Sequence, residues 1–74
     1  MRLNTAKDLR VWAARNELEL YWFGSASSSK VCVALGTEHT SIMESYHYPD
    51  TTKGQGDAMK DLRRRVNAIL EADK

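Results

Sequence analysis

One cysteine, one proline and no long apolar run set the first limits on this 74-residue chain. Cys32 has no second cysteine to pair with, so there is no disulfide framework, and that usage fits a reducing compartment. No stretch approaches the roughly 20 apolar residues that a membrane helix needs. The opening MRLNTAKDLR carries no apolar segment of the secretory kind. The expectation is a cytoplasmic protein with no membrane contact. An excess of charge is missing too: the net charge is +1, so the whole molecule has no strong field to steer it onto a polyanion. Any such binding must come from local clustering. A chain this short hides only about 60% of its surface on folding. That predicts one domain, 1–74, with no room for a second core or a deep catalytic cleft.

What is present reads as α-β-β-β-α. Thr5 with Asp8 three residues on resembles a capping box, and Ala6, Leu9, Trp12 and Ala13 recur at helical spacing up to about Asn16. ELELYWFGS, residues 17–25, alternates Leu18, Leu20 and Trp22 with Glu17, Glu19, Tyr21 and Phe23, the pattern of a strand. SASSS reads as a turn. KVCVALG, residues 30–36, returns with Val31, Val33 and Leu35 on one face and Cys32 and Ala34 on the other. TSIMESYHY, residues 40–48, is rich in β-branched and aromatic residues, with the Ile42/Tyr46 face expected inward and Pro49 ending the strand. Residues 50–56 read as a loop. A closing helix is predicted from about Asp57 to Ala72, burying Met59, Leu62, Val66, Ile69 and Leu70. A lone hairpin is unstable in water and each helix has one apolar side to hide. The fold class is therefore α+β, a three-stranded antiparallel meander with both helices on one face.

The segment KGQGDAMKDLRRRVNAIL carries the main functional signal. Lys60, Arg63, Arg64 and Asn67 fall on one flank of the closing helix, with Arg65 on the other near Asp61. A helix start offers free N–H groups and partial positive charge, and Gly54 and Gly56 would let another backbone approach. These are parts of an anion site, although Asp57, read as the N-cap, would fill the place of a phosphate. The plainest alternative is a solvated helix face.

The element order, the glycines before the last helix and its basic run resemble the double-stranded RNA-binding domain. Gly54 and Gly56 stand at that family's glycine-rich turn. Lys60 and Arg63 match two of the three positions of its Lys-Lys-x-Ala-Lys motif, with Leu62 at the alanine and Val66 and Asn67 at the small pair that follows. Met59 replaces the first lysine, and GSASSS lacks the family's Gly-Pro-x-His. The resemblance implies phosphate contacts from the basic run, with the first helix, where Arg10 and Arg15 stand, reaching a flanking minor groove.

Tyr21 and Phe23 offer a second possibility: a protein-contact patch on the uncovered sheet face, for a partner or a second copy. Glu17 and Glu19 share that face and argue against base stacking there. Cys32, His39 and His47 fit no zinc spacing, so no metal is expected. The serines cluster in one loop without a visible base, and Gly54-Gln55-Gly56 is neither a phosphate-binding loop of the nucleotidases nor a dinucleotide fingerprint. Catalysis and cofactors are not expected. The reading is a non-enzymatic binding module, for a nucleic-acid backbone through Gly54, Gly56, Lys60, Arg63 and Arg64, or for a protein through Tyr21 and Phe23.

Overall fold

The computed structural model describes residues 2–25 and 29–72. Helix α1 (Ala6–Arg15) starts at the expected capping box. The Asp8 N–H donates to Thr5 Oγ1 (3.0 Å) and the Thr5 N–H donates to Asp8 Oδ2 (3.2 Å). It ends in a Schellman turn: Glu17 takes φ 58°, the Glu17 N–H donates to the Ala14 carbonyl and the Leu18 N–H to the Ala13 carbonyl. Glu17 thus belongs to the helix terminus, and the first strand begins two residues later than its alternation suggests.

Strand β1 (Glu19–Ser25) pairs antiparallel with β2 (Lys30–Gly36), Trp22 opposite Val33 and Phe23 opposite Cys32. Much of the turn expected at residues 25–29 lies outside the described residues. On the other edge of β2 lie β3 (Ser41–Glu44), against its C-terminal end, and β4 (Tyr48–Pro49), against its start. The meander is therefore present, with its third strand broken in two. Both helices cover the same face. Leu9 and Ala13 of α1 join Val33 and Leu35 of β2 and Ala58, Met59, Leu62 and Val66 of α2 (Thr52–Ala72) in one core.

The break corrects the expectation that Ile42 and Tyr46 point inward. Gly36 faces Ser41, but Leu35 faces Met43, so Ile42 is an extra residue and is 59% exposed. A second residue is inserted further on. Val33 exchanges bonds with Ser45, its N–H donating to Ser45 Oγ (3.0 Å) and its carbonyl accepting from the Ser45 N–H (2.9 Å), while Val31 faces Tyr48. Met43, Ser45 and Tyr48 therefore form the inner set, and Tyr46 is 69% exposed. The first slip reverses the side-chain parity and the second restores it, which returns Tyr48 to the inner side.

The last helix also departs from expectation. It begins at Thr52, five residues before Asp57. Thr51 caps it, with Oγ1 accepting from the Gly54 N–H (3.0 Å) and the carbonyl from the Gln55 N–H (2.9 Å). Gly54 and Gly56 are thus helical residues and not a turn. Gly54 is buried, and a Cβ there would stand 1.8 Å from the Pro49 carbonyl oxygen. The glycine lets the helix lie directly on β4.

The N-terminal strip is fastened along the far half of α2. Asn67 is buried and grips Leu3 at both ends: Oδ1 accepts from the Leu3 N–H and Nδ2 donates to the Leu3 carbonyl, each at 2.8 Å. Arg2 pairs with Glu71.

Candidate functional site

The two helices do not close over the outer part of β1. Between them runs a groove of about 510 Å³ whose walls include Ala6 and Arg10 of α1, Trp22 of β1, and Gly56, Lys60 and Arg63 of α2. Sequence periodicity puts Trp22 on the helix-facing side of its strand, and the register agrees, since it faces buried Val33. Yet Trp22 remains 44% exposed. Two of the residues that line the groove with it are small: Ala6 has one methyl group and Gly56 has no side chain.

Lys60 and Arg63 line the same groove, as their one-turn spacing suggests, and Arg10 joins them from the other helix. Arg10 and Lys60 are exposed, and no carboxylate pairs with either among the described residues. Arg63 is half-buried and donates from Nη1 to the Asn4 carbonyl (2.6 Å), so it also holds the N-terminal strip. The first turn of α2 reaches the groove through Thr52 and contains no acidic residue. Its partial positive charge is not offset from within the helix start. Asp57, in the second turn, does not occupy the cap. The nearest carboxylate with a described contact there is Asp50, whose Oδ1 accepts from Gln55 Nε2 (3.1 Å).

The other predicted residues separate from this cluster. Gly54 is sealed under Pro49 and can touch no ligand. Arg64 is exposed but outside the groove; its charge is felt at Tyr48, whose phenol is nevertheless pushed up by burial and by Asp61. Asn67 is buried as the clamp on Leu3 rather than lying on the basic flank. Arg15 lines a different surface depression with Arg2 and Lys7. Trp22 is the residue that sequence reasoning missed. Alternation gives the face of a strand, but not how completely that face is covered.

Arg65 is fully engaged on the opposite flank. Its Nε donates to Asp61 Oδ1 (3.2 Å), and its guanidinium lies 4.3 Å from the centre of the Tyr46 ring. Asp61 Oδ2 accepts from the Tyr46 N–H (2.8 Å). This cluster fastens the displaced bulge residue to α2.

On the uncovered sheet face, Phe23 is 48% exposed and Tyr21 is half-buried beside it, ring centres 6.4 Å apart. Cys32 and Ala34 share this face but are buried, being small side chains opposite Phe23 and Tyr21. Burial and the nearby Glu44 push the Cys32 thiol up. The Tyr21 hydroxyl sits between Glu19 Oε2 (2.7 Å) and the Thr37 carbonyl. Its pKa is pushed up to about 12, first by the hydrogen bond to Glu19, then by desolvation and the charges of Glu19 and Glu38. Among the described residues no group of three or more His, Cys, Asp or Glu side chains could hold a metal ion, and no helix is long and apolar enough to cross a membrane.

No protein-family model matches the chain, and no curated protein or solved structure matches it either. The functional reading therefore rests on the groove and the sheet face themselves.

Proposed function

We propose that this domain is a non-enzymatic binding module that holds a nucleic-acid backbone in the groove between α1 and α2, with Arg10, Lys60 and Arg63 on the phosphates. One observation carries this reading: cations from two helices far apart in sequence converge on one groove, and Arg10 and Lys60 have no ion pair among the described residues. Convergence is what marks them, since Lys7, Arg15, Lys53 and Arg64 also lack an ion pair among the described residues without lining this groove. The start of α2 adds partial positive charge at the groove mouth. The resemblance to the double-stranded RNA-binding domain makes duplex RNA one ligand to include.

The test is a titration of labelled RNA and DNA, single-stranded and duplex, at two salt concentrations. Three phosphate contacts give a log–log slope of about −2 to −3. Arg10→Glu with Lys60→Glu should abolish binding while leaving the circular dichroism spectrum unchanged. Arg63 is a poorer choice, because its bond to Asn4 mixes folding with binding. Absence of binding at low salt overturns the reading.

A second reading is supported by the bare sheet face. Phe23 and Tyr21 stand among exposed Glu19, Glu38 and Glu44, which suits a protein partner or a second copy. Light scattering after size exclusion tests the homodimer, which Phe23→Glu should make monomeric.

A further inference from the structure

We propose that Trp22 stacks an unpaired base, so that the groove takes single-stranded nucleic acid; this rests on the backbone reading above and adds to it a contact that a phosphate cannot make. The observations behind it are independent of the charges. A groove of about 510 Å³ lies within the range of small-ligand sites, roughly 300–1,000 Å³, and offers more than one phosphate fills. Its wall contains an indole that stays 44% exposed although it is on the covered side of the sheet.

Gly56 lines the groove with Trp22. Gly54 has a reason within the fold, since the Pro49 carbonyl lies against it. Gly56 has none: a Cβ built there meets nothing within 4 Å. A glycine in a helix interior is less favourable than alanine, so packing and helix stability would both accept a larger residue. A larger residue would also shelter Trp22. What the glycine does provide is bare helix backbone beside an open indole, room for a flat ring to slide between them. Flanking cations with an exposed aromatic surface are the combination that grips single strands without sequence preference, because every base presents a π-face. A duplex keeps its bases stacked internally and presents only its backbone and groove edges, so it cannot use Trp22 in this way.

The experiment compares three labelled probes of equal length: oligothymidylate, an abasic strand with the same phosphates, and a duplex. Stacking on one aromatic predicts that oligothymidylate binds about 5- to 100-fold more tightly than the abasic strand. Trp22→Leu should erase that difference while the abasic strand binds as before. Gly56→Leu, which fills the space without removing a charge, should do the same. In a Trp12→Phe background Trp22 is the remaining tryptophan, and its emission should be quenched by oligothymidylate but not by the abasic strand. The emission readout and Gly56→Leu decide the matter if Trp22→Leu does not fold. Equal affinity for oligothymidylate and the abasic strand, or tighter binding of the duplex, overturns the stacking proposal and leaves the backbone reading standing. Binding of none of the three probes removes both.

Discussion

The two flanks of α2 carry similar residues and have opposite fates. On one, Asp61 and Arg65 meet each other, the Tyr46 ring and the Tyr46 N–H, so both of these charges have partners. On the other, Lys60 and, across the groove, Arg10 have no carboxylate among the described residues, and Gly56 leaves the helix backbone bare. The difference lies in the neighbouring strand. The broken third strand lays an extra residue against the first flank, where an acceptor and a cation can fasten it. On the second flank β1 offers only the indole of Trp22. Charge on a helix thus becomes structural where the adjoining strand presents partners, and remains available where it does not.

The contrast is sharpest between the glycines. Gly54→Ala puts a methyl group 1.8 Å from the Pro49 carbonyl oxygen and must push α2 off β4. The expected loss is about 3 kcal/mol or more, read as a large fall in the urea midpoint. Next in size is Asp61→Ala, which strips the Tyr46 N–H and Arg65 of their acceptor. It should cost about 1–3 kcal/mol, whereas Lys60→Ala on the other flank should stay within about 0.5 kcal/mol. Equal losses from these two would erase the distinction between the flanks. Gly56→Ala should go the other way and stabilise the fold by about 0.5–1 kcal/mol, as thermal unfolding would show. The mildest effect belongs to the bare sheet face. The Tyr21 phenol is raised from 10.0 to about 12, so its contribution to stability is intact below about pH 10 and fades as the pH climbs to about 12. Phenolate absorbance should show two late-titrating tyrosines, Tyr21 and Tyr48, of which Glu19→Gln brings only Tyr21 back toward the ordinary range.

Much of the fold could be read in the residues. The Thr5–Asp8 pair marked the start of α1, and alternation assigned the two faces of β1 and β2, because a regular strand turns over once per residue. The third strand resisted because Ile42 and the Tyr46–His47 step each insert a residue, and an inserted residue reverses the parity of everything beyond it. The start of α2 resisted for another reason: two glycines look like a turn, and what calls for Gly54 inside a helix is the close approach of the Pro49 backbone five residues before it, which appears only once the chain has folded back. The convergence of Lys60 and Arg63 followed from helical spacing. The addition of Arg10 and Trp22 depends on how α1, β1 and α2 are placed in three dimensions, which the spacing within one helix does not give.

The Asn67 amide holding Leu3 joins positions 64 residues apart. During synthesis, α1 and the hairpin can emerge and collapse early, but this clasp must wait for the second half of α2. Until then the strip ahead of α1 has nothing to dock on, and Leu3 stays wet. Assembly of this small domain is therefore finished by a long-range closure, and a ribosome-stalled chain ending before residue 67 should lack it.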